Sequence, residues 1–132
     1  MTTNIRHDLA AMAPPTQNLY AHGIEVPAGA RQLYIAGQVG VRPDGTLPDT
    51  LEGQTEQLME NFRMILASAG MTFADVAKIT AYCLKPEDII TYAGIRNRHF
   101  AGNPPATTAV VVAGLALKEW LIEADLVAAR AD

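Results

Sequence analysis

Cysteine is nearly absent from this chain: 132 residues contain one, Cys83. A single thiol closes no internal disulfide, and it has no metal-ligand spacing with the three histidines. Such usage fits a reducing, cytoplasmic setting. Basic residues are also scarce. Ten Lys and Arg stand against 14 Asp and Glu, for a net charge of −4. No basic run exists to follow a phosphate backbone, so nucleic acid is not an expected partner. No apolar stretch approaches the ~20 residues that span a bilayer, so a membrane is not expected either. The segment Met1 to Met12 lacks the apolar run of a secretory signal. Nucleophile elbow, P-loop and dinucleotide fingerprint are all missing.

What is present is the composition of one globular domain, 49% hydrophobic and 18% charged. Residues 1–16, which include Pro14 and Pro15, read as a flexible N-terminal arm, and residues 17–132 as a single domain. Tyr20 to Val26 and Gln32 to Val39 read as strands. A helix is expected after Asp49, with Asp49 as N-cap and Glu52 at N3. Its apolar face carries Leu51, Leu58, Met59, Phe62, Ile65, Leu66 and Ala69, and Gly70 is the expected stop. Val76 to Leu84 reads as a third strand. Pro86 opens a second helix that runs to about Phe100.

Two further strands follow Pro104-Pro105 and are expected to pair as a hairpin. The first, through Val110, Val111 and Val112, is apolar on both faces. Helices would cover one of those faces, and the other is expected to meet a second copy of the chain. The second strand alternates. Ile122, Ala124, Leu126 and Ala128 point one way; Leu121, Glu123, Asp125 and Val127 point the other. The order β-β-α-β-α-β-β indicates an α+β domain with two helices on one face of the sheet.

Glu123 is the leading candidate for chemistry. A carboxylate in a partly buried cleft can act as a general acid or orient a water, whereas on an open face it is an ordinary solvated acid. Tyr20, Thr107 and Thr108 offer hydroxyls at strand starts, and Gly37 leaves room for a close approach to its backbone. Arg96, on the second helix, could hold a substrate carboxylate or form a surface ion pair.

The run Phe100-Ala-Gly-Asn-Pro-Pro-Ala-Thr-Thr-Ala-Val-Val-Val-Ala-Gly-Leu115, with Leu121-Ile-Glu-Ala-Asp-Leu-Val-Ala128, resembles the C-terminal signature of the RidA/YjgF family. Tyr34-Ile-Ala-Gly-Gln-Val39 resembles its second-strand motif, and Tyr20 falls where the family has an N-terminal tyrosine. The resemblance covers the chain from about Gln17 onward.

It implies a chorismate-mutase-like fold and a homotrimer whose sheets form a central barrel with clefts between subunits. It implies hydrolysis of small enamines or imines to a carbonyl product and ammonia, with no metal or organic cofactor and a small molecule as partner. By the same resemblance Glu123 positions the attacking water, and Gly37 and Tyr20 complete the cleft. The family's carboxylate-binding arginine falls on Thr107, within Pro105-Ala-Thr-Thr108. A threonine hydroxyl donates one neutral hydrogen bond where a guanidinium donates two charge-assisted ones. Either Arg96 or Arg31 supplies the cation instead, or the substrate has no carboxylate there. The alternative function is a non-catalytic, ligand-binding or regulatory trimer.

Overall fold

The structure is a computed structural model that describes residues 2–132. Its elements run β1 (Ile5–His7), β2 (Gly23–Glu25), β3 (Arg31–Gln38), α1 (Leu51–Ser68), β4 (Val76–Cys83), α2 (Pro86–His99), β5 (Ala106–Val111) and β6 (Ile122–Arg130). Short 3₁₀ turns at Thr16–Asn18 and Phe73–Asp75 join them. Two helices lie on one face of a mixed sheet, as the pattern predicts.

The helical period decides what α1 buries. Leu58, Met59, Phe62 and Leu66 are fully enclosed against the sheet, each contributing on the order of 1.5–3 kcal/mol. The N-cap is Thr50, not Asp49: its hydroxyl accepts the Gly53 amide at 3.0 Å. At the other end Gly70 has φ +70°, and its amide donates to Ala67 O while Met71 N donates to Leu66 O. That pair of bonds is a Schellman stop, which favours glycine at the left-handed position. α2 opens with Pro86 at its first turn and buries Tyr92, Ala93, Ile95 and Arg96.

The main sheet has the order β3-β6-β4-β5. The expected C-terminal hairpin does not form. β5 pairs with β4 in parallel, and β6 inserts antiparallel between β3 and β4. Parallel neighbours need a long crossover, and α2 supplies it. β6 takes the central place because Ile122, Ala124, Leu126 and Ala128 are fully buried under the helices.

The strand expected over Tyr20 to Val26 shrinks to β2. It pairs with β1 in a separate two-stranded sheet, and only an isolated parallel bridge, Ala21 to Ala106, joins this region to β5. β1 falls within the segment read as an arm. That segment is bonded to the domain: Asn4 Nδ2 donates to Asp75 O at 3.0 Å, and Thr3 Oγ1 accepts Ala131 N at 2.9 Å.

Gln54 joins α1 to the connection between β5 and β6. This buried amide donates to Pro48 O at 3.0 Å and to Glu119 O at 3.1 Å, and accepts Leu121 N at 2.8 Å. The edges tell a different story. Tyr34 on β3 is 71% exposed, and Val110 and Val111 on β5 are 40% and 47% exposed. Among the described residues no helix is long and apolar enough to cross a membrane.

Candidate active site

The face of the sheet away from the helices carries the polar side chains. Alternation along β6 and β4 puts Glu123 and Asp125 there beside Thr80 and Tyr82, and the register sets Tyr82 opposite Glu123 and Thr80 opposite Asp125. Tyr82 Oη donates diagonally to Asp125 Oδ2 at 3.0 Å. That bond, with slight burial and the charges of Asp125 and Glu123, holds the Tyr82 hydroxyl above its ordinary value of 10.0.

β3 bends where its pairing with β6 is interrupted between Ile35 and Gln38. Gly37 sits in that irregularity. A Cβ there would lie 2.3 Å from Glu123 Oε2, so the carboxylate occupies space that any other residue would fill. Gly37, Tyr82, Glu123 and Asp125 line a cleft of about 320 Å³ with Val112 and Gly114 to Ala116. No Lys or Arg lines it, and among the described residues Glu123 has no hydrogen-bond or ion-pair partner.

Tyr20, Thr107 and Thr108 do not join this cleft. They border a second one, about 590 Å³, with Ala106, Lys78 and His22. Its lining contains no carboxylate. Lys78 Nζ donates to Thr108 Oγ1 at 2.7 Å. His22 holds one wall: Leu9 N donates to its Nδ1 at 3.1 Å, which leaves the proton on Nε2, 2.9 Å from Ala13 O. The His22 amide donates to Asp8 Oδ1 at 3.0 Å. That bond is the main reason the Asp8 carboxyl lies below its ordinary 3.8.

Thr107 pairs with Ile79, so its side chain turns toward the helices. There it accepts Arg96 Nη1 at 3.4 Å. Arg96 is 2% exposed and lines neither cleft. Its Nη2 donates to Leu19 O and, at 3.1 Å, to Asn97 Oδ1; its guanidinium lies 5.3 Å from the centre of the Tyr92 ring; its Nε has no partner. No carboxylate pairs with it among the described residues. Arg96 thus lies behind Thr107 and is not the surface ion pair that was one of its expected roles. Arg31 is elsewhere, bonded to Asp132 at 2.6 Å and to Ala69 O at 3.1 Å.

Of the expected residues, then, Glu123 and Gly37 meet in one cleft and Tyr20, Thr107 and Thr108 in another. Tyr82, Asp125, Lys78 and His22 are additions. Tyr82 and Lys78 share a strand face in the sequence, but only the register of β4 against β6 brings the first to Asp125, and only that of β4 against β5 brings the second to Thr108. No group of three or more His, Cys, Asp or Glu that could hold a metal ion occurs among the described residues.

The family model described as Endoribonuclease L-PSP matches residues 10–130. A Lactococcus lactis protein named as a candidate regulator, AldR, is 36% identical over 121 residues, covering 90% of this chain and 89% of the relative. The 2-iminobutanoate/2-iminopropanoate deaminase of Rattus norvegicus is 31% identical over 105 residues, 78% of this chain and 74% of the enzyme. The solved structure of the Rid-family protein YyfB from Yersinia pestis, of unknown function, superposes with a TM-score of 0.85 at 30% identity, covering 95% of this chain and 97% of that one.

Proposed function

The chain belongs to the Endoribonuclease L-PSP family, also called RidA/YjgF, and from that premise we propose that it is a hydrolytic deaminase of a small imine or enamine, working as a homotrimer without a cofactor. The observation that carries this reading is the Glu123 carboxylate, unpartnered among the described residues and set over Gly37 in a small cleft. A carboxylate so placed is free to accept a proton from water. The water oxygen bonds to the imine carbon, both of its protons pass in turn to nitrogen by way of Glu123, the C=N bond is lost, and ammonia leaves a carbonyl product.

The second cleft supplies the binding groups. In a ring of copies, the acid-free cleft of one subunit faces the Glu123 cleft of the next. Tyr20 and Thr108 then offer hydroxyls to the substrate, and Thr107 lines the cleft with its own hydroxyl turned inward to Arg96 and Ile79 O. The uncovered Tyr34, Val110 and Val111 are apolar surface that such an assembly would bury. The family model's description names an endoribonuclease, but a net charge of −4 and a cleft with two carboxylates give a phosphate backbone no footprint.

A second reading is a ligand-binding regulator that turns nothing over. Thr107 at the arginine position favours it, as does the name of the Lactococcus relative. One experiment separates the two. An amino-acid oxidase generates imines in situ, and release of ammonia and 2-oxo acid is followed with and without the protein. Acceleration that Glu123→Gln abolishes supports the deaminase. An unaltered rate across a panel of amino acids, with thermal stabilisation by an unconverted metabolite, supports the regulator.

A further inference from the structure

We propose that Asp125, held in place by Tyr82, is a specificity-determining residue of the Glu123 cleft and selects a cationic nitrogen: an iminium rather than a neutral enamine or imine. The proposal rests on the reading of that cleft as the substrate site. It goes beyond that reading by naming the charge state taken and the side chain that recognises it.

The geometry points there in three ways. Asp125 shares a sheet face with Glu123, two residues along β6, so the two carboxylates start roughly 7 Å apart along the strand. That spacing admits one small group and a water between them. Tyr82 Oη donates to Asp125 Oδ2 at 3.0 Å, which fixes the carboxylate and leaves Oδ1 without a partner among the described residues. Finally, the cleft is lined by Gly37, Tyr82, Val112 and Gly114 to Ala116, with no Lys or Arg to balance two acids. A cation entering it gains charge-assisted hydrogen bonds that a neutral isostere does not make. An anion is repelled by both carboxylates.

The division of labour follows. Asp125 takes the nitrogen and Glu123 takes the water. For an iminium, R₂C=NH₂⁺ and H₂O give R₂C=O and NH₄⁺. The water oxygen bonds to carbon, its protons reach nitrogen by way of Glu123, and both C–N bonds break. Charge is conserved, so Asp125 faces a cation at the start and at the end.

The test uses the full chain and an unreactive probe, ethylammonium, with ethanol as the neutral control. Binding is followed by amide chemical shifts in an NMR titration at constant ionic strength. Saturable shifts at Gly37, Val112 and Gly114 are expected with ethylammonium and absent with ethanol. Asp125→Asn should raise the dissociation constant about tenfold or more, and Tyr82→Phe by a few-fold, with thermal midpoints showing that both variants fold. Equal affinity for ethylammonium in Asp125→Asn and the unaltered chain overturns the proposal, as does ethanol binding as well as ethylammonium. Because the readout is binding, its outcome is separate from turnover. Asp125-dependent ethylammonium binding without imine hydrolysis upholds this inference and removes the deaminase. Imine hydrolysis that needs Glu123 but is indifferent to Asp125→Asn does the reverse.

Discussion

Gly37 and Glu123 compete for one volume: a methyl group on residue 37 would stand 2.3 Å from Glu123 Oε2. The atom in the way is the tip of a side chain, not backbone. Gly37→Ala should therefore fold and push the carboxylate aside. Displacement of a reacting group by about 1 Å costs on the order of a hundredfold in rate. We expect such a drop in deaminase turnover with a thermal midpoint within a few degrees of the unaltered protein. Full activity in Gly37→Ala would mean that the position of Glu123 is immaterial.

Arg96 is a buried guanidinium that pairs with no carboxylate among the described residues and is held by Leu19 O, Asn97 Oδ1 and Thr107 Oγ1. An apolar side chain of similar volume relieves the buried charge, which offsets the hydrogen bonds lost. Arg96→Met should change unfolding free energy by no more than about 1.5 kcal/mol, whereas Arg96→Ala, which adds a void, should cost about 3–5 kcal/mol. Urea titration of both variants checks this. Arg96→Met should also raise KM more than it lowers kcat, since Thr107 and the Leu19–Tyr20 segment lose their common anchor. Equal destabilisation by the two variants would show that the charge itself is indispensable.

Alkaline pH should weaken the fold. Burial raises the Cys83 thiol from 9.0 to about 11, with the charge of Asp88 adding to the shift. Burial likewise raises the Tyr92 hydroxyl from 10.0 to about 12, the Arg96 cation opposing it. Each group keeps its proton in the folded chain after the unfolded chain has lost it, so the unfolded state binds fewer protons and stability falls as pH rises. The decline should begin near pH 9 and steepen above 10, at about 1.4 kcal/mol per pH unit for each group in its window. Denaturant midpoints between pH 7 and 11 test it. Cys83→Ser should remove the earlier part of the slope; a flat profile to pH 11 would contradict both shifts.

Much of the fold was legible because burial on one face writes a period into the chain. Leu58, Met59, Phe62 and Leu66 mark α1 at helical spacing, and the alternation from Ile122 to Ala128 separates the core face of β6 from the face that carries Glu123 and Asp125. Period reports which side of a strand is covered and says nothing of its neighbours. The insertion of β6 between β3 and β4 was therefore missed, although the strand–helix–strand spacing of β4, α2 and β5 is that of a parallel crossover. The cap was displaced by one residue because Asp49 and Thr50 are both good acceptors, and only the helix start chooses between them.

The candidate site was legible residue by residue and not as a place. Glu123 with Gly37, and Tyr20 with Thr107, were each identifiable; their separation into two clefts depends on strand order. Asp125 drew attention only as a second acid, because its partner Tyr82 lies 43 positions away in the chain.

The three bonds of Gln54 make the entrance of α1 and the segment beside Leu121 a single mechanical unit. Leu121 stands two residues before Glu123, so a shift in how the first helix seats on the sheet should be felt at the mouth of the acidic crevice. Sequence drift in that helix, remote from any reacting atom, would retune ligand choice without touching a side chain that contacts the ligand.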